Sequence, residues 1–358
     1  MRKWTKVVSY IVAAALAFPA MAATEIKVPA NRPFQHERTG IAFPTELGGL
    51  PRTQVLDFGA EQFDVAANYQ AKDGSTIVTI YMYRAGFPVV APSFDVILNV
   101  ISTREGFSPD TKAKMKPQVF APAGHNNADS MQIAFPVGEG GRFRTAGVAL
   151  IPHGDWLLKV RVSTNRHDPD TLLQYMQRLA NKLRLPAADR ISPATSPVAP
   201  CQSELAFGDA HYVEADTAVA MAALMGEISI NPQMGSLAEL VAPAKATSWC
   251  RDEQFTNRPI YRPSGTNDRY VLVLGDSSEA VTVGRDASVD ALRKANGDGP
   301  LFKVKQADAN GTTGFGLLDA LPRPDDLGRL LSGKGAVGST DRISKVNINT
   351  DGAGEEKK

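Results

Sequence analysis

Trp156-Leu157-Leu158-Lys159-Val160-Arg161-Val162-Ser163, followed five residues later by Asp168-Pro169, decides how this chain folds. Side chains alternate across a strand, so Trp156, Leu158, Val160 and Val162 point one way while Leu157, Lys159, Arg161 and Ser163 point the other. The period then changes. Asp168 offers an oxygen to the free amides of a helix start, and Pro169 takes the first helical position, where no donor is needed. Leu172, Met176, Leu179 and Leu183 follow as a single apolar stripe. A strand with an apolar face, handing over to an amphipathic helix, predicts a helix packed on a sheet.

The preceding residues supply the rest of that sheet. Phe63, Val65, Ala67 and Tyr69 alternate as one strand face, Lys72-Asp73-Gly74 is a turn, and 76–83 is a β-branched and aromatic strand, which together make a hairpin. After Pro88 and Pro92, the residues Phe94, Ile97, Leu98 and Ile101 have helical spacing, with Ser93 as the expected cap and Gly106 as the stop. Strands at 118–121, 130–135 and 143–151 complete an antiparallel meander with 156–163. The expected unit is an α+β domain over 34–185, an antiparallel sheet sandwiched with two helices. Its order β, β, α, β, β, β, β, α resembles the PsbP-like fold. That resemblance implies an exported or lumenal accessory protein with a binding or assembly role, in a family many of whose members lack catalytic activity.

Residues 186–200, rich in Ala, Ser and spaced prolines, carry no apolar periodicity and read as a linker. A smaller α+β domain is expected over 201–332. It comprises an Ala- and Met-rich helix at 215–225, a hairpin from 269–274 to 280–284, and a second hairpin turning at Asn310-Gly311. Beyond Gly333 the composition is Gly, Ser, Lys and Asp, so 333–358 reads as a flexible tail.

The other end of the 358-residue chain sets the compartment. A basic start through Lys6, an apolar run over 7–18 and Pro19-Ala20-Met21-Ala22 form a signal peptide over 1–22, cleaved after Ala22. Twelve apolar residues make a helix of about 18 Å, too short for a hydrocarbon core of about 30 Å. The expected location is periplasmic or secreted, with no membrane span after cleavage. In an oxidising compartment the two cysteines, Cys201 and Cys250, are expected to form a disulfide contributing about 4 kcal/mol through loop entropy.

Composition excludes some partners. Lys and Arg number 39 against 38 Asp and Glu, and Arg2, Lys3 and Lys6 belong to the leader, so the chain has no nucleic-acid-binding charge. No cofactor or metal is expected. The five histidines, His36, His125, His153, His167 and His211, show no spacing that aims two rings at one ion, and Asp209 beside His211 lacks a third ligand. Gly311-Thr312-Thr313-Gly314-Phe315-Gly316 lacks the strand-loop-helix context of a phosphate cradle and reads as a Gly-weakened strand or a bulge.

Val271-Leu272-Val273-Leu274-Gly275-Asp276-Ser277 resembles the nucleophile block of the GDSL (SGNH) esterases, and Gly265-Thr266-Asn267-Asp268 is similar to their Asn-containing oxyanion block. The resemblance implies Ser277 as nucleophile. The order is reversed, however. No histidine follows His211 to take the serine proton, and the residues after Ser278 read as strand where the family has a helix. The remaining candidate is a cationic sheet face. Lys159 and Arg161, with Arg84 and neighbouring Arg142 and Arg144, would accept an anion if their strands are adjacent. The sequence therefore predicts an exported envelope binding or accessory protein without catalysis, its partner an envelope protein or a small anionic ligand. An esterase using Ser277 and a scaffold subunit of an envelope assembly are the alternatives.

Overall fold

In a computed structural model, the structure describes residues 23–103, 115–138, 141–187, 191–213, 247–255, 258–275, 279–285, 289–290, 293, 299–333, 338–341 and 345–348. The leader, Gly106, the expected helix at 215–225 and Ser277 lie outside the described residues.

Short pairings open the chain: β1 (Thr24–Glu25), β2 (Phe34–Gln35), β3 (Ala42–Phe43) and β4 (Glu46–Leu47), with β2 paired to β3. The first sheet is then built by β5 (Leu50–Asp57), β6 (Asp64–Gln70), β7 (Thr76–Arg84), β8 (Gln118–Phe120), β9 (Ser130–Pro136), β10 (Thr145–His153) and β11 (Trp156–Thr164). Its order is β1-β5-β6-β7-β11-β10-β9-β8, with β4 paired to β5. The β6–β7 hairpin turns where Asp73 Oδ1 accepts from the Ser75 amide and hydroxyl and Gly74 takes φ +70°.

Each face of this sheet carries a helix. Helix α1 (Val90–Ser102) joins β7 to β8, and α2 (Pro169–Lys182) follows β11. Asp168 caps α2 as its sequence predicts, accepting from the Thr171 amide at 2.8 Å. Leu172, Met176 and Leu179 bury against Val78, Ile80, Leu158, Val160 and Val162, while Phe94 and Ile97 of α1 bury against Ile133, Val148, Leu150 and Leu157 on the opposite face. The alternation in β11 thus sorts its residues between two helices. Ser93 is not the cap of α1. The helix starts at Val90 with Pro92 in its first turn, where an absent N–H costs nothing, and Ser93 is buried.

The second sheet runs in sequence order through β12 (Ala199–Pro200), β13 (Trp249–Asp252), β14 (Ile260–Pro263), β15 (Arg269–Leu274), β16 (Glu279–Arg285), β17 (Phe302–Ala307), β18 (Gly311–Leu318), β19 (Gly338–Asp341) and β20 (Lys345–Ile348). One face covers a core of Tyr270, Leu272, Val281, Val304 and Leu318, closed by Leu327 and Leu330 of helix α3 (Leu327–Gly333). The other face packs on α1: Tyr261, Val271, Val273 and Ala280 meet Val96, with Val100 and Trp249 at the edge. Helix α1 is therefore held between two sheets. The chain is a sheet-rich α+β protein with a Cys201–Cys250 disulfide.

Two expectations from the sequence are corrected. The stretch read as a linker is bound down: Asn127 Nδ2 donates to the Ser192 carbonyl, the Thr195 amide donates to the Ala128 carbonyl, and β12 pairs in parallel with β13. Its extended, proline-rich backbone has polar groups free to pair with any edge that meets it. Part of the tail read as flexible is also structured, since β19 pairs with β18 and β20 with β19. Ladder pairing is a backbone property, so the polar composition of this stretch gave no sign of it.

Candidate functional site

The cationic face predicted around Arg84, Lys159 and Arg161 does not assemble. Residues directly opposed across a ladder share a face, and Arg84 opposes Trp156, which places it on the side of α2, 5.6 Å from the Phe63 ring centroid. Lys159 opposes Tyr81 on the other side. It is buried, with its ammonium 4.6 Å from the Tyr81 centroid and 5.3 Å from that of Tyr83. Arg161 alone is exposed, opposite Thr79. Arg144 lies four residues beyond Val148, the partner of Arg161 in β10, or about 13 Å along the strand. Arg142 is further still, over the Phe143 ring. The strands are neighbours as anticipated, but their register separates the charges.

The histidines make separate local contacts. His36 is buried; its Nε2–H donates to the Gln62 carbonyl and its Nδ1 accepts from Thr39, a pairing that assigns the neutral ring, and burial lowers its pKa. His125 meets Asp129 at 2.7 Å, His167 lies against the Tyr175 ring, and His153 is buried at the end of β10. His211 lies 3.7 Å from Asp209 and 3.9 Å from Asp319. No three metal-binding side chains converge among the described residues. Gly265-Thr266-Asn267-Asp268 forms the connection from β14 to β15, its Asp268 carboxylate paired with Arg269 and held below its ordinary pKa chiefly by that bond. The residues after Ser278 form strand β16. Gly316 belongs to strand β18, where a side chain would strike the Tyr212 ring.

The site that does form lies where the two sheets diverge along α1. Ala91, Asp95, Leu98, Asn99 and Ser102 make a helical stripe that borders the first sheet's packing face, with Ala91 and Leu98 shared between the two. Across from it stand Met115, Pro117 and Met131 of the first half, Pro197 and Val198 of the connecting segment, and Arg251, Asp252, Glu253, Phe255 and Pro259 of the second. They enclose a cleft of about 630 Å³, within the range of small-molecule sites, roughly 300–1,000 Å³.

One polar cluster fixes its wall. Both Asp95 oxygens accept from Arg251 Nη1, at 2.9 and 3.2 Å, and Oδ2 also accepts from the Tyr261 hydroxyl at 2.9 Å. Burial and the adjoining Asp95 carboxylate push the Tyr261 hydroxyl far up, so it remains a donor. Arg251 follows Cys250, whose disulfide ties β13 to the connecting segment beside β12. The cleft wall is thus covalently braced.

Sequence reasoning found the Phe94, Ile97, Leu98 and Ile101 stripe of α1 but not the cleft. The available signal was that Val89, Val90, Phe94, Val96, Ile97, Leu98, Val100 and Ile101 make the helix apolar nearly all round, which calls for burial on more than one side. The sequence matches no protein-family model, and neither a curated protein nor a solved structure matches it.

Proposed function

We propose that this chain is an exported binding or accessory protein of the cell envelope, and that its ligand site is the cleft beside α1. The observation that carries the reading is the cleft itself: both halves and the connecting segment line it, and a disulfide and a charge pair brace its wall. A preformed apolar cavity with a few placed polar groups is the usual form of a small-molecule site. Its lining offers carboxylates, a guanidinium, an amide and a hydroxyl, and no imidazole or thiol, a set that binds and orients. The leader at 1–22 and the oxidised cysteine pair support export. No helix among the described residues is long and apolar enough to cross a membrane. The likeness to the PsbP-like fold is supported by an antiparallel sheet with α1 and α2 on opposite faces; from β6 onward the elements follow the predicted order, and β1 to β5 precede them.

The test is native mass spectrometry of protein recovered from host envelopes. A mature chain beginning at Ala23 and carrying a non-covalent mass that Leu98→Trp removes is expected. An unprocessed chain, or a bound mass indifferent to the filled cleft, contradicts the proposal.

A further inference from the structure

Cys250 and Arg262 are directly opposed across the β13–β14 ladder, so both side chains lie on the face of the second sheet turned away from α1. Arg262 is 1 % exposed. Its guanidinium meets neutral oxygens: Nη1 donates to the Ser203 hydroxyl at 3.2 Å and to the Thr266 carbonyl, and Nη2 donates to the Ser203 carbonyl. Its Nε has no partner among the described residues, and no carboxylate among them bonds to this cation. Asp252, two residues along the same face from Cys250, accepts instead from the Gln254 amide. A buried cation without a counter-ion is costly, and that cost falls when an anion forms beside it. Ser203 lies two residues beyond Cys201, so Arg262 touches the chain on one side of the disulfide and opposes it on the other. The two cysteines differ in access. Cys250 is 4 % exposed, whereas Cys201 is half-buried, on a segment fastened to β13 by the two-residue ladder of β12 and the Cys201 amide. An arriving thiol therefore meets Cys201 first, and the sulfurs can part without opening the core beneath the sheet.

We propose that Cys201–Cys250 is a reversible redox site reduced by a dithiol protein, with Arg262 as the positioning residue that favours its opening. A thiolate of the dithiol attacks Cys201 Sγ, the S–S bond breaks, and its electron pair passes to Cys250 Sγ while a mixed disulfide forms on Cys201. Arg262 stabilises the departing Cys250 thiolate, which makes it the better leaving group. The second thiolate of the reductant then attacks the reductant's own sulfur in the mixed disulfide and expels Cys201. The two protons of the dithiol end on the two cysteines, and the reductant leaves as a disulfide, having given up two electrons. The test treats the mature, folded chain with dithiothreitol in the absence of denaturant and counts free thiols by the mass added on maleimide trapping. Reduction is expected at a rate proportional to dithiothreitol and indifferent to sub-denaturing urea; a rate that climbs with urea, as reduction through global unfolding must, overturns the proposal. Arg262→Gln should slow reduction about tenfold by making Cys250 a poorer leaving group, and Arg262→Lys, which keeps the charge, should stay near the parent rate. Parent-like reduction of Arg262→Gln overturns the role of the cation. Where Arg262→Gln does not fold, brief exposure of the unaltered chain to glutathione decides: peptide mapping should find the mixed disulfide on Cys201, and finding it on Cys250 overturns the proposal.

Discussion

Asp95 on α1 and Arg251 on β13 stand 156 residues apart in the chain and meet at 2.9 Å across the junction of the two sheets. The pair is asymmetric. The Asp95 side chain is 18 % exposed and holds two donors, whereas Arg251 is 41 % exposed. Removing the carboxylate leaves the buried Tyr261 hydroxyl without an acceptor; removing the guanidinium leaves Asp95 bonded to Tyr261 and reachable by water.

Asp95→Ala is accordingly expected to cost about 1–3 kcal/mol, the penalty of an orphaned buried polar group. Arg251→Ala should cost about 0–1 kcal/mol, as exposed ion pairs do. Urea denaturation of both variants checks the order, and an Arg251 loss exceeding that of Asp95 would contradict this account of the wall.

Reduction of Cys201–Cys250 should destabilise the second half by about 2–5 kcal/mol, as loss of native bridges does in small domains. The Cys201 amide donates to the Arg251 carbonyl, so hydrogen exchange at that amide should accelerate on reduction before exchange in β10 and β11 changes. Simultaneous acceleration across both sheets would show that the bridge guards the whole molecule instead.

Gly86 lies in the crossover from β7 to α1, and a Cβ there would overlap the carbonyl of Ala307 at the end of β17. Gly86→Ala must push the second sheet away from the first. The expected result is a lower melting temperature with faster hydrogen exchange in α1, β16 and β17 and little change in α2; an unaltered exchange map would refute the close approach.

His36 makes stability depend on pH. Its folded pKa lies below the ordinary 6.5, because the ring is buried and its Nδ1 must remain an acceptor. The unfolded chain therefore binds the extra proton first, and stability falls as pH drops below about 6.5 until the folded ring also titrates. His167 is shifted the same way, by burial and then by Arg178. Thermal melts between pH 7.5 and 5 should show a declining midpoint, and His36→Gln should flatten the decline to the part owed to His167. An equal slope in that variant would assign the dependence elsewhere.

Much of the first half is legible in sequence because its signals are local. Two-residue alternation in β6, β7 and β11, the Asp73-Gly74 turn and the Asp168-Pro169 start each follow from neighbouring residues. The hairpin from β15 to β16 was legible for the same reason, and the Cys201–Cys250 bridge because the chain holds two cysteines and an oxidising compartment is expected. What stayed hidden depends on register and distant contact. Arg84, Lys159 and Arg161 were correctly placed on strands, yet only the Trp156–Arg84 pairing shows that Arg84 faces the other way. The docking of residues 192–200 depends on partners at 127–128 and 250–251, and no local pattern in a proline-rich stretch encodes them.

The position of α1 between two sheets has a consequence for biogenesis. Val96 and Val100 are synthesised well before Tyr261, Val271 and Val273, the residues that shelter them. A chain emerging from its N-terminus presents the first sheet with this greasy helix flank bare until more than 150 further residues have emerged. During that interval the nascent polypeptide is open to self-association, and its successful maturation depends on a holding chaperone or on rapid completion of the chain.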